Sequence, residues 1–314
     1  MRLPLWLVNL GLRVFVRWPL GWIKTPQDLR ARFARDAQLV FAMPDDAHFT
    51  PEALRRDDAP PMEMLWASQG RADRHRVILY LHGGAYLVGS PDTHRHLGAA
   101  LAGAAGTRAL LPGYRLAPED PFPAAVEDAL AAYRYLLETH EPGQIAFAGD
   151  SAGGGLVFAL LLAAAQAGLP PPAAAVGFSP FTDLTLQAPS HRRNARREVM
   201  LPPQRAQEAV DYYLQGHDPR DPLASPAFGT FETPPASMIL ASTTEILADH
   251  ATLLAETLRR FSGDVRLEIW PGLPHAWPMF VGRLTAADQA TAEAGRFIQR
   301  AMDRQADAVV EDTG

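Results

Sequence analysis

Cysteine is absent from the 314 residues. That excludes disulfides, a thiol nucleophile and cysteine-ligated metals, and it suits a reducing, cytoplasmic setting. No charge of one sign dominates: 29 Lys and Arg stand against 35 Asp and Glu, for a net charge of -6. Nucleic acid is therefore not an expected partner. Nor is there an uninterrupted apolar run long enough to cross a bilayer. The most apolar stretch, residues 1–22, is interrupted by Asn9, Arg13 and Arg17, and no small-residue cleavage site follows it. It reads as an amphipathic helix packed on its own protein, with an interfacial membrane helix as the other reading and no stable membrane insertion. Internal repeats and a proline-rich linker are also lacking; the 28 prolines are spread along the chain.

What is present is an ordinary globular composition, 47% hydrophobic and 20% charged, in a chain long enough for a large core. Thr25-Pro26-Gln27-Asp28 marks a helix start, with proline at the first helical position, and the helix should run to about Phe41. Residues 43–61 read as an exposed connection. Strands are expected at 63–67, 76–81, 108–112, 144–148, 173–178, 236–241 and 265–270. Helices are expected between most of them, at 92–104, 123–137, 156–169 and from about Asp249 to Phe261, with a turn at Ser262–Asp264. A last helix should cover 286–302, and 305–314 should fray. This alternation predicts an α/β fold, a mostly parallel sheet with helices on both faces. Residues 184–225 break the rhythm with a basic run (His191, Arg192, Arg193, Arg196, Arg197) and a helix near 204–214, as an inserted lid would. The basic run reads as a solvated face.

The chemistry centres on Gly149-Asp150-Ser151-Ala152-Gly153, which falls between an expected strand and an expected buried helix. Strand, tight turn and helix make a nucleophile elbow out of a G-x-S-x-G motif. Downstream, Glu245 and His275 each follow a strand, where ligand and catalytic groups of such sheets gather. A serine hydroxyl needs an imidazole to take its proton, and the imidazole needs a carboxylate to fix its tautomer. Ser151, Glu245 and His275 are the candidates, with Asp249 as a rival acid. Asp150, adjacent to the serine, should point elsewhere. Backbone N–H groups of Gly83, Gly84 and Ala152 are the candidate oxyanion donors if their loops converge, and His82 is expected to shape that loop by hydrogen bonding rather than to act as a base.

His82-Gly83-Gly84-Ala85-Tyr86, the elbow, and Tyr114-Arg115-Leu116-Ala117-Pro118-Glu119 followed by Phe122-Pro123-Ala124-Ala125 together resemble the hormone-sensitive-lipase family of esterases, bacterial esterase family IV, over roughly residues 76–302. The resemblance implies an α/β-hydrolase core at 51–183 and 226–314, with a helical cap made of residues 1–50 and the 184–225 insertion. It implies hydrolysis of short- to medium-chain carboxylic esters, a small-molecule ester as partner and no cofactor or metal. Family members often dimerise, which leaves a homodimer open. Two departures stand out: Ala85 occupies the place of a third glycine, and Glu245 stands where many members carry Asp. Plant gibberellin receptors resemble the family but lack the catalytic histidine, whereas His275 is present here. Amide, lactone, carbamate and acetyl substrates are not separated from esters by these motifs. The apolar side chains of the N-terminal helices should line the entrance.

Overall fold

The computed structural model describes residues 2–20, 22–23, 25–56, 60–261 and 264–312. The expected turn at Ser262–Asp264 lies outside them except for Asp264. The chain opens with α1 (Leu5–Leu12), a π turn (Arg13–Arg17) and α2 (Trp18–Leu20). Next comes α3 (Pro26–Val40), entered as its sequence predicts: Thr25 Oγ1 accepts the Asp28 N–H at 3.1 Å and Pro26 takes the first helical position.

The connection expected at 43–61 is instead largely a strand, β1 (Ala47–Leu54). It pairs antiparallel with β2 (Met62–Gln69). Pro51, with the Pro and Asp residues on either side of the strand, disguised it, and the proline is tolerated because β1 is the edge of the sheet. The sheet thus begins at Ala47, ahead of the core boundary expected at residue 51. The remaining elements are β3 (Val77–Leu81), α4 (Pro91–Ala105), β4 (Arg108–Pro112), α5 (Ala124–Leu137), β5 (Ile145–Asp150), α6 (Ser151–Gln166) and β6 (Ala174–Phe178), then α7 (Pro189–Arg193), α8 (Pro203–Leu214), β7 (Ala236–Ser242), α9 (Ala248–Arg259), β8 (Val265–Trp270) and α10 (Thr285–Asp312). α10 continues through the stretch expected to fray, because residues 303–312 contain neither Pro nor Gly and simply propagate the helix.

The strands form one eight-stranded sheet in the order β1-β2-β4-β3-β5-β6-β7-β8, antiparallel at β1, β2 and β4 and parallel elsewhere. Alternate β3 residues feed two cores. Val77, Leu79 and Leu81 pack with α5, α6 and α9, while Ile78 and Tyr80 pack with α4 and α10. Both faces are therefore covered, as expected for parallel strands. The N-terminal helices are tied to the 184–225 insertion. Arg17 donates to Ala195 O at 2.9 Å, and Arg205 of α8 donates to Ile23 O at 2.5 Å and to Leu20 O.

The Tyr114–Glu119 motif proves to be structural. Asp128 of α5, only 1% exposed, accepts the Arg115 N–H at 2.8 Å and its guanidinium at 2.8–3.0 Å, and it also pairs with Arg56. Removing one partner of such a buried pair strands the other charge. Asp128→Ala should lower stability by roughly 3 kcal/mol, read as a fall in the urea midpoint; an unchanged midpoint would contradict this account.

Candidate active site

β5 ends at Asp150 and α6 starts at Ser151, five residues earlier than the apolar run alone predicts. Ser151 has φ +53°, in the left-handed region where a side chain is strained by about 1–3 kcal/mol. The turn it sits in is packed closely against neighbouring backbone. A Cβ on Gly153 would lie 2.0 Å from Leu81 O, and one on Gly155 would lie 2.1 Å from Phe181 O. The small residues of the motif are therefore a steric requirement of packing this turn against the ends of β3 and β6.

His275, in the loop after β8, reaches Ser151. Its Nε2 is 2.7 Å from Ser151 Oγ, and its Nδ1 is 2.6 Å from Glu245 Oε2. The other Glu245 oxygen accepts the Ser242 N–H at 2.6 Å and the Ser179 hydroxyl at 2.9 Å. Ser179 Oγ in turn accepts the Ala276 N–H at 3.1 Å, fixing the residue that follows the histidine. All three principal groups are buried. Burial pushes the Glu245 carboxyl above its usual range. For His275, burial pushes downward, but the hydrogen bond and charge of Glu245 outweigh it, and the net shift is upward from 6.5. An ionised Glu245 holds the proton on Nδ1 and leaves Nε2 to accept from Ser151.

The rival acid is elsewhere. Asp249, in the first turn of α9, accepts the Ser190 N–H at 2.7 Å and pairs with Arg193 at 2.6 Å. Asp150 also points away, toward Tyr80, whose hydroxyl it accepts at 2.8 Å, and toward His94. It accepts the Gly83 N–H at 3.1 Å as well. That corrects one expectation: the Gly83 donor is already used inside the protein. Among the described residues, the N–H groups of Gly84, Ala85 and Ala152 have no protein acceptor. Gly84, Ala85 and Tyr86 have φ of +125°, +56° and +61°, which turns the loop toward the serine side of the sheet. A Cβ at Gly84 would collide with Val88 O at 2.1 Å.

His82 lies buried beside this loop. Its Nδ1 donates to Gly83 O at 2.9 Å, its ring stacks on Tyr114 at 4.1 Å, and burial lowers its pKa to about 3. It is neutral at any working pH. An apolar cavity of about 250 Å³ opens over Ser151 and His275. As expected, N-terminal side chains line it, among them Leu12, Phe15, Leu29 and Phe33, with Leu201 and Ala209 from the insertion. Three contributors escaped the sequence reading. Ser179 follows a strand, and that position was the available signal. Asn194, whose Nδ2 donates to Thr243 O and Glu245 O at 3.0 and 2.7 Å, was hidden in the basic run. So was Glu198, which accepts the Ile246 N–H at 3.3 Å. Among the described residues, no cluster of three or more His, Asp or Glu could hold a metal ion.

The family model described as the α/β-hydrolase fold matches residues 78–279. The chain is 45% identical to an acetyl-hydrolase of Streptomyces hygroscopicus over 237 residues, 75% of this chain and 79% of that one. It is 31% identical to an esterase of Acinetobacter venetianus, over 73% of this chain and 76% of that one. Among solved structures, an esterase from the bacterial hormone-sensitive lipase family superposes with a TM-score of 0.85 at 37% identity, covering 89% of this chain and 93% of that one. The esterase EstE5 soaked with p-nitrophenyl butyrate superposes with a TM-score of 0.87 at 33% identity, covering 95% and 98%.

The electrostatics can be tested without any substrate. By NMR, the His275 ring should titrate above 6.5 in the wild type. Glu245→Gln removes the group that raises it, so the titration should fall below 6.5, while Asp249→Ala should leave it in place. A His275 titration that followed Asp249 instead would reverse the assignment.

Proposed function

The chain belongs to the α/β-hydrolase family, among the serine esterases of the bacterial hormone-sensitive-lipase type, and on that premise we propose that Ser151, His275 and Glu245 are its catalytic groups. In this reading Ser151 Oγ attacks the ester carbonyl while His275 Nε2 takes its proton. Glu245 stabilises the imidazolium. The proton passes to the departing alcohol, leaving an acyl group on Ser151. Water, deprotonated by His275, then attacks the acyl carbonyl and releases the acid.

The observation that carries the reading is the unbroken relay from Glu245 through His275 to Ser151, at 2.6 and 2.7 Å, beside unpaired N–H groups. The oxyanion donors we assign are Gly84, Ala85 and Ala152; Gly83 is assigned to holding the loop through Asp150. Ala85 can stand in for a glycine because only its backbone N–H is needed. The small apolar cavity supports short- to medium-chain acyl esters. An acetyl-hydrolase among the relatives and p-nitrophenyl butyrate soaked into a neighbour agree with that range. The N-terminal helices with the 184–225 insertion act as the cap over this cavity. No helix among the described residues is long and apolar enough to cross a membrane, and the absence of cysteine supports a cytoplasmic setting. A homodimer would use the free edge of β8, where Ile269 is 41% exposed; light scattering decides it.

Purified protein should hydrolyse p-nitrophenyl butyrate. Ser151→Ala should lower kcat by about 1000-fold or more, and Glu245→Gln by about 100- to 10,000-fold. Asp249→Ala should change kcat less than about threefold. Because the free base His275 is the active form and its pKa is raised, kcat/KM should climb with pH through an inflection above 6.5. Full activity in Ser151→Ala would end this assignment. The cavity generates a separate expectation: Leu29→Ala enlarges it and should shift preference toward longer acyl chains, measured as the ratio of kcat/KM for octanoate to butyrate esters.

A further inference from the structure

The N-terminal helices are apolar on both sides, and one side is bare. Val8 and Leu12 face the protein and are buried. Opposite them Trp6 is 67% exposed, Leu10 51%, Trp18 69% and Trp22 75%, while Val14 is also exposed. The spacing of residues 6, 10, 14 and 18 makes a continuous outer ridge. A helix that is apolar all round is ordinarily buried in a protein or a membrane, and exposed tryptophans in a group mark an interaction surface.

Charge identifies the occupant. The first 27 residues carry four cationic side chains and no carboxylate, in a chain whose net charge is -6. Arg17 reaches Ala195. This sets the helix beside the exposed Arg192, Arg196 and Arg197, which form no ion pair among the described residues. The nearby carboxylates Asp36 and Glu208 are each paired within their own helix, to Arg32 and Arg205. An aromatic ridge flanked by unpaired arginines suits an anionic lipid surface. Tryptophan rings settle at headgroup depth, and arginines meet phosphates. A second copy of the same patch would set cation against cation.

We propose that the face carrying Trp6, Leu10, Trp18 and Trp22, with Arg13, Arg192, Arg196 and Arg197 beside it, docks reversibly on an anionic bilayer. The same helices line the cavity. Phe15 is 68% exposed and also faces it, so the docked face adjoins the entrance. Resting on the esterase reading, the docked enzyme takes esters dissolved in the lipid directly into the site.

The test measures binding without turnover. The full-length protein is mixed with vesicles of equimolar phosphatidylglycerol and phosphatidylcholine, or of phosphatidylcholine alone, and sedimented. Binding is expected on the anionic vesicles, with a blue shift of tryptophan fluorescence, and it should weaken as NaCl rises from about 0.1 M to about 0.5 M. The double variant Trp6→Ser/Trp18→Ser should lose about tenfold or more in partition coefficient. So should Arg192→Glu/Arg196→Glu. Both should hydrolyse water-soluble p-nitrophenyl acetate as the wild type does, which shows that they are folded. Absence of binding to anionic vesicles overturns the proposal, and so does binding that ignores the tryptophan pair. If light scattering shows that the tryptophan variant only turns a dimer into a monomer, the face is a subunit interface and the proposal is wrong. Failure of the esterase reading would show separately, as no hydrolysis of the soluble ester by any form.

Discussion

Everything at the site depends on how closely three pieces of backbone approach each other. The turn from β5 into α6 lies against the end of β3 with no room for a methyl group at Gly153. Within that tight turn Ser151 lies in the left-handed region. The first-turn N–H of Ala152 comes to the same place, where a developing negative charge also meets the positive end of α6. The same tight turn thus sets both the position of the proposed nucleophile and part of its electrostatic setting. The strain at the serine is maintained by the packing of α6, whose buried face is almost wholly apolar.

A second constraint is the cost of burying Glu245 without solvent. Each of its oxygens has defined donors: His275 on one, Ser242 N–H and Ser179 on the other. The backbone around it is held as well. Asn194 binds the carbonyls of Thr243 and Glu245, and Glu198 accepts from Ile246. Both come from residues 184–225, so the loop bearing Glu245 is held by a segment far away in sequence. Ser242 also exchanges hydrogen bonds with Leu273 and so steadies the histidine loop.

Much of this was legible in the chain. The cap at Thr25, the β5-turn-α6 unit and the strand-following positions of Glu245 and His275 all depend on local pattern, and local pattern is what a sequence displays. The misses have a common physical origin. β1 is an edge strand, so it can carry Pro51, and that proline masks an alternation of Ala47, Phe49 and Ala53 with His48, Thr50 and Glu52. Gly83 looked like an oxyanion donor because nothing local reveals that Asp150 folds back onto its N–H. Asn194 and Glu198 sit in a stretch whose arginines suggest a solvated face, and only the tertiary fold turns these two inward. Asp249 and Glu245 are four residues apart, and which one meets His275 is decided by where α9 begins.

Arg30 of α3 ties two otherwise separate regions together. Its guanidinium donates to Leu87 O at 2.6 Å and Ala117 O at 2.7 Å, and it pairs with Glu119 at 2.6 Å. Leu87 lies in the loop that carries Gly84 and Ala85. Tyr86, from the same loop, stacks at 3.8 Å on Tyr213 of α8. Both α3 and α8 therefore grip the loop that carries the proposed oxyanion donors. By linkage, such an arrangement is reciprocal. Whatever steadies the covering helices would then steady the proposed oxyanion loop, and a ligand bound there would tighten the cover by the same free energy. Under the proposed esterase mechanism, any loosening of these contacts to admit substrate would also loosen the donors the reaction needs.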